Sequence, residues 1–403
     1  TLCLTMILIG FSSYATVTIR AAANPPMNSN NPDNPHALLA LLNRDQYGNR
    51  PLLYGPQVTF IEEIDQKTGE KKLVPYSAAK GVTEDETYSY NPETGKYEVI
   101  KKLVDYDYYS ESMSFFPRMW NTTKANEYMV WGAYREEEIT RRDQDGNIQQ
   151  ETVKVFGKQV DNPIFTHNKE RYENTPRKII EPTFGENMYY FFTYQLNYMY
   201  WRYFLWNFVG RQDDIQPDGI TLTHGNWLSG IDFIDELYLG PQSNLPAEME
   251  SNRARNTYYF LPFILGLVGL IYQLNRDKRG FTVVMWLFIM MGIALVVYFN
   301  SSPGEVRERD YVYAGSFYAF SMWIGLGVLA IYEAITRLLK GKQTTAAVAA
   351  TAIAAVVPGI LCAENWDDHD RSGRSWARDS GHNYLNSIVE VDGVSPIIVN
   401  YGD

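Results

Sequence analysis

Residues 281–299 read FTVVMWLFIMMGIALVVYF, and residues 301–311, just beyond Asn300, read SSPGEVRERDY. An uncharged apolar run of this length matches the roughly 20 residues a helix needs to cross a bilayer. Residues 258–274 and 314–335 flank it as apolar runs of similar kind. The charged cluster is therefore pinned at the mouth of a predicted transmembrane helix. Charge held beside hydrocarbon is costly and usually has a partner or a task. This cluster is the first place to look for function.

Working outward, the 403 residues have a mean hydropathy of -0.30, too low for a bare membrane bundle. Part of the chain must be a large aqueous region. A net charge of -11 argues against a general nucleic-acid binder. Aromatic residues make up 14%, with 30 tyrosines, which suits membrane interfaces or sugar-contacting surfaces. Cys3 and Cys362 both fall in apolar segments, so neither a disulfide framework nor a cysteine metal site is expected.

Five segments qualify as spans: 1–19, 258–274, 281–299, 314–335 and 346–363. The short loops Asn275–Gly280 and Thr336–Lys342 are basic, and the positive-inside rule assigns both to the cytoplasm. Residues 20–257, 300–313 and 364–403 then lie outside. The chain opens at Thr1 within an apolar run and closes at Asp403 in a strand-like stretch, so it reads as a piece of a longer protein. The expected fold class is an α-helical integral membrane protein. Its five helices carry a β-rich extracytoplasmic insert over about 50–165 and the α/β start of a soluble C-terminal domain.

Residues 188–209 test this scheme, because twelve of them are Phe, Trp or Tyr, with Arg202 among them. A span here would flip every later helix and put both basic loops outside. The segment is therefore read as an interfacial helix. Its rings form either an aromatic belt or the lining of a groove for a lipid-linked or sugar ligand. In the outer loop, residues 57–76, 86–104 and 134–157 each read as strand, Gly-containing turn and strand, the pattern of a hairpin. Asn34 or Pro35 starts a helix through Leu42. In the tail, Asp367–Ser372 open the segment, and a helix from there to about Val391 and a strand over Ser395–Asn400 are expected.

Three groups carry candidate chemistry. Glu305, Arg307, Glu308, Arg309 and Asp310 precede a helix whose N-terminus faces outward. Such an end favours anions, and arginine forks suit phosphate oxygens. The competing reading is an internally paired network that anchors the loop. Arg202, Arg211, Asp213 and Asp214 interrupt or follow the aromatic helix. A carboxylate there would serve as general base or hold a divalent cation; the plainer reading is solvated helix-end charge. Asp367, Asp368, His369 and Asp370 are consecutive, cannot converge on one ion, and read as capping and surface charge. His167 and His224 stand without visible partners. Asn121-Thr-Thr and Asn300-Ser-Ser are formal glycosylation sequons. No metal site is assigned from the sequence.

Arg307-Glu-Arg-Asp-Tyr311 with Gly315-Ser-Phe-Tyr-Ala-Phe320 resembles the signature loop and helix of a bacterial integral-membrane family. That family is related to protein O-mannosyltransferases and has the GT-C glycosyltransferase architecture. Arg20–Pro26, Leu42–Gly48 with Pro51–Gly55, Tyr198–Tyr203 with Trp206–Phe208 and Gly210–Asp213, His369–Ser372 and Asn383–Asn386 resemble it too. Val306 stands where the pattern leads one to expect proline. The resemblance implies transfer of a mannose-like hexose from a polyprenyl-phosphate donor to a hydroxyl of a protein or glycan acceptor. It also implies a bacterial inner-membrane location with large periplasmic loops. The catalytic base would lie in a loop preceding Thr1, leaving Asp213 and Asp214 as weaker candidates.

On this reading Arg307 and Arg309 hold the donor phosphate, and Glu308 and Asp310 orient them beside Tyr311. Arg202, Arg211, Tyr198, Tyr200, Trp201 and Trp206 contact the substrate. No cofactor is assigned, and a divalent cation is compatible. The rival expectation is a non-catalytic envelope scaffold that binds partner proteins. A transporter is weaker, because Glu333 alone approaches an intramembrane ionisable group.

Overall fold

The computed structural model describes residues 2–25, 27–28, 30–43, 50–64, 71–91, 94–142, 148–167, 175–217, 223–304 and 307–387. Helix α1 (Leu2–Ala22) is followed by α2 (Pro35–Asn43), whose start is capped as its sequence suggests. Asn34 Oδ1 accepts from the His36 and Ala37 amides at 3.1 and 3.0 Å, and Pro35 sits where its missing N–H costs nothing.

The strands then run β1 (Tyr54–Pro56), β2 (Thr59–Ile64), β3 (Lys71–Tyr76), β4 (Ala79–Asn91), β5 (Lys96–Tyr108), β6 (Met113–Phe115), β7 (Arg135–Arg142), β8 (Ile148–Val155), β9 (Lys158–Asp161) and β10 (Lys178–Glu181). Helix α3 (Ala125–Trp131) precedes β7, and α4 (Pro163–His167) follows β9. The three runs read as hairpins form the antiparallel pairs β2–β3, β4–β5 and β7–β8. The middle pair starts at Ala79 and ends at Tyr108, longer at both ends than 86–104. A four-stranded sheet in the order β3-β2-β10-β9 gathers the first hairpin. Phe60 and its cross-strand partner Ile180 are buried on one face, with Phe60 edge-on to Phe156 at 5.7 Å, and Ile179 is buried on the other.

The aromatic segment is one continuous helical stretch. It runs as α5 (Phe184–Tyr190), a π-helix over Phe191–Trp201, and α6 (Arg202–Phe208). A reciprocal capping box of Thr183 and Glu186 starts it. Its rings are mostly core rather than belt: Tyr190, Tyr194, Tyr200, Tyr203, Phe204, Trp206 and Phe208 are all buried.

Strand β11 (Gly210–Arg211), α7 (Asp232–Leu239), α8 (Ala247–Glu250) and β12 (Asn256–Thr257) lead to the apolar helices. These are α9 (Leu261–Arg276), α10 (Lys278–Met290), α11 (Ile293–Phe299), α12 (Ala314–Leu338) and α13 (Gln343–His369); α14 (Trp376–Asn386) ends the described chain.

Among the described residues, four helices are long and apolar enough to cross a membrane: Leu4–Ala22, Lys278–Phe299, Asp310–Leu338 and Gln343–Asp367. The expected span 258–274 is shorter than read. β12 pairs with β11, and Tyr259 and Phe260 adopt positive φ (52° and 57°), so helix begins only at Leu261. Its 16 residues rise about 24 Å, short of a hydrocarbon core of about 30 Å. The span 281–299 begins three residues early, where Asp277 Oδ1 accepts from the Gly280 amide, and it breaks at Gly292. The basic loop at 275–280 thus contracts to Asp277 between two helices. The last span runs on to His369, so Asp367 and His369 close a helix rather than open one. The tail helix expected after Ser372 runs over Trp376–Asn386; Ser395–Asn400 lies outside the described residues.

The chain divides into two compact units: Thr1–Tyr203, Asp218–Thr221 and Met285–Ser316 in one, and Phe204–Pro217, Leu222–Val284 and Phe317–Asp403 in the other. In the first, the end of α11 is a polar hub. Arg50 Nη1 donates to the Phe299 carbonyl at 2.7 Å, and Arg118 Nη1 to that of Val297 at 3.1 Å. Two cations therefore cap the negative end of one helix. Burial brings the Arg118 guanidinium down to about 10, which still leaves it charged at neutral pH. Asn300, left-handed at φ 41° and fully buried, donates to the Pro51 and Pro117 carbonyls and accepts from Gln195 Nε2 at 2.9 Å. Both its amide hydrogens are used, so the folded protein presents no glycosylation acceptor there. In the second unit, α9 and α12 cross at Gly269 and Gly327, where a Cβ on Gly269 would lie 1.7 Å from the Trp323 carbonyl oxygen. Such close approach between apolar helices requires glycine.

Candidate functional site: the arginine loop before α12

Arg202 begins α6 and meets Glu308 from a loop 106 residues later. Its Nη1 and Nη2 donate to the two carboxylate oxygens at 3.2 and 2.8 Å, a fork-on-fork pair. The guanidinium lies 3.8 Å from the Tyr198 ring centroid and 4.7 Å from that of Tyr203, and its Nε donates to the Tyr198 carbonyl. The Tyr203 hydroxyl also donates to Glu308 and accepts from the Arg309 amide. Burial, reinforced by the Glu308 carboxylate, pushes the Tyr203 phenol well above its ordinary value, so it remains a donor.

Behind this pair stands a column of rings. Tyr190, Tyr194 and Tyr198 recur every four residues and stack at 5.1 and 5.5 Å, nearly parallel. The wide turn of the π-helix places them above one another. Trp131 abuts the lower two rings at 4.8 and 5.0 Å. Tyr190 and Tyr194 donate to the carbonyls of Ser301 and Ser302. The start of the loop ahead of the arginines is thus tied to the column. π-helical turns concentrate at functional sites.

This arrangement separates the charges of the loop. Glu308 takes the fork of Arg202, a partner beyond the expected role of orienting Arg307 and Arg309. Arg307 is exposed, with its guanidinium 5.9 Å from the Tyr311 ring, and Tyr311 is exposed as well. Asp310 opens a 3-10 turn (Asp310–Tyr313) that leads into α12. Cationic side chains and a helix start therefore share one short segment. Glu305 lies outside the described residues.

The other expected contacts divide. Tyr198 stays with the pair, and half-exposed Trp201 lies 5.1 Å from Tyr200. Tyr200 is fully buried, its hydroxyl bonded to Ser316 Oγ at 2.7 Å, so it packs rather than touches a ligand. A glycine at 292 permits this, since a Cβ there would stand 2.5 Å from that hydroxyl. In the second unit Trp206 is also buried. Its indole donates to the Gly225 carbonyl while Arg211 stacks on it at 4.1 Å.

Asp213 is buried, with Oδ1 accepting from the Ile215 and Gly225 amides and Oδ2 facing His224 Nδ1 at 3.1 Å. That occupancy disfavours Asp213 as a base. The Nδ1–H tautomer of His224 satisfies the carboxylate and leaves Nε2 as a proton acceptor. Asp214 is exposed and accepts from Asn252. His167, too, has partners, Glu111 at 2.8 Å and the stacked ring of Tyr109. Among the described residues, no three His, Cys, Asp or Glu gather to hold a metal.

Sequence reading missed the Arg202–Glu308 fork and the His224–Asp213 pair. A signal for the first was present: one cation in a 22-residue stretch of rings demands a counter-charge. Elsewhere in the first unit, α2 and the β4–β5 hairpin enclose a cleft of about 330 Å³ lined by His36, Leu39, Asn43, Glu86, Tyr88 and Tyr97.

Residues 48–192, the β-rich part up to the first rings of the aromatic helix, match a family model described as a family of unknown function (DUF8416). No curated protein and no solved structure matches the chain.

Proposed function

We propose that the protein acts in a membrane glycosyltransferase of GT-C type, moving a hexose from a polyprenyl-phosphate donor to a hydroxyl of a protein or glycan acceptor. The observation that carries this reading is the Arg202–Glu308 fork. By neutralising Glu308, it leaves the segment from Arg307 to the start of α12 with a cationic surplus beside a helix N-terminus. That is the chemistry a phosphate monoester or diester recognises. Arg307 and Arg309 hold the donor phosphate, and Tyr311, Tyr198 and Trp201 border it. Displacement at the anomeric carbon releases a phosphate whose growing charge the arginines stabilise. The acceptor proton passes to a general base. The apolar helices support an integral membrane location, and on this reading the arginine loop lies on the periplasmic face of a bacterial inner membrane.

The test compares intact masses of envelope and secreted proteins from host cells carrying the wild-type protein or Arg307→Ala/Arg309→Ala at equal expression. Loss of hexose-sized increments in the variant is expected. Unchanged masses would reject the donor-phosphate role and favour a scaffold that binds partners through surfaces such as the α2–hairpin cleft.

A further inference from the structure

Helix α7 turns two large apolar side chains away from the protein. Phe233 and Leu237, one helical turn apart, are 77% and 75% exposed, with the exposed Asp232 and Glu236 flanking them on one side of the helix. The opposite face is firmly held. Asp235 is buried and accepts from the Ser229 and Gly230 amides and the Ser229 hydroxyl at 2.8–2.9 Å. Tyr238 stacks on Trp227 at 4.5 Å and donates to its carbonyl. The helix is therefore fixed with its apolar edge outward, rather than loosely hung.

What covers that edge follows from where the helix is tied. The Tyr259 amide donates to the Ser229 carbonyl, and a Cβ on Gly230 would meet Thr257 and Tyr259. Trp227 lies edge-on to Phe260 at 6.0 Å. The segment leading into α7 thus runs beside Thr257–Phe260, the residues just before α9. Trp227, Tyr238, Tyr259 and Phe260 form a cluster of rings at that end of an apolar helix, as aromatic belts do at the membrane surface. A short amphipathic helix at that level buries its apolar edge between headgroups and acyl chains while its acidic residues stay in water. We infer that α7 is an interfacial anchor, inserting Phe233 and Leu237 into the outer part of the bilayer leaflet next to the start of α9. The occupant of this face is lipid. The inference rests on the membrane reading of the apolar helices and is independent of sugar transfer.

The experiment uses the full chain in phosphatidylcholine nanodiscs, in a Cys3→Ser/Cys362→Ser background. A single cysteine at Leu237→Cys, at Leu329→Cys on α12 or at Glu248→Cys on α8 carries an environment-sensitive fluorophore. Leu329 and Glu248 are exposed, like Leu237, so labelling removes no core contact. Position 237 is expected to emit at shorter wavelength than 248. It should be quenched more by lipid nitroxides near the headgroup than by those deep in the acyl chain. A label at 329 that is quenched beside a water-like, iodide-accessible label at 237 would overturn the anchor alone. Water-like emission at both positions would overturn the membrane reading and the anchor with it.

Discussion

Arg202 is clamped between two tyrosine rings and one carboxylate, so neither partner can be removed quietly. Arg202→Ala leaves Glu308, only 20% exposed, without its cation. A loss of about 3 kcal/mol is expected in denaturant unfolding. Arg202→Ala/Glu308→Ala should lose clearly less than the sum of the single changes; strict additivity would mean the two do not act as a pair. Glu181 in β10 behaves differently. Burial raises its carboxyl above the ordinary range, outweighing Lys158 and Gln57. The folded state therefore holds that proton more tightly than the unfolded one, and stability contributed by this group rises as pH falls through the interval between the two values. Glu181→Gln should raise the melting temperature at pH 7.5 and give little gain at pH 4. An equal effect at both would deny the burial cost. At this scale the sequence marked Arg202 as a lone charge among rings, but its partner lies 106 residues away and is chosen by tertiary packing. Asp213 was visible as a carboxylate, whereas its saturation by the Ile215 and Gly225 amides and His224 is a tertiary arrangement that residue spacing does not encode.

Among the elements, the crossing of α9 and α12 is the most sharply specified. Gly269→Ala sets a methyl against backbone atoms of Trp323 and Gly327, which cannot swing aside. A loss of about 1–3 kcal/mol is expected by thermal unfolding. Gly325→Ala on the same α12 meets no atom within 4 Å and should be neutral or slightly stabilising. Equal effects would assign both to helix propensity rather than to the crossing. The apolar helices were legible because length and composition alone identify them. Their ends were less so: the start of α9 is set by the β11–β12 pairing, and the break at Gly292 by the approach of Tyr200. The π-helix was hidden for a related reason. A ring every four residues fits either helix type, and the surrounding loop decides between them.

For the whole molecule, apolar helices, a β-rich insert and a tethered arginine loop coexist in one chain, and the proposed function turns on what that loop binds. The arginine segment sets cations beside the start of α12, and the proposed function depends on it. The most direct measurement is native mass spectrometry or fluorescence titration of a short-chain polyprenyl phosphate against the full chain in nanodiscs. Wild type, Arg307→Ala/Arg309→Ala and Arg307→Lys would be compared, with an uncharged polyprenol as the reference lipid. Saturable binding by wild type is expected, weakened at least about tenfold in the double variant and less in the lysine variant, since charged hydrogen bonds contribute about 1.5–3 kcal/mol each. Equal affinity of wild type and double variant, or no preference for the phosphate over the polyprenol, would contradict the assignment.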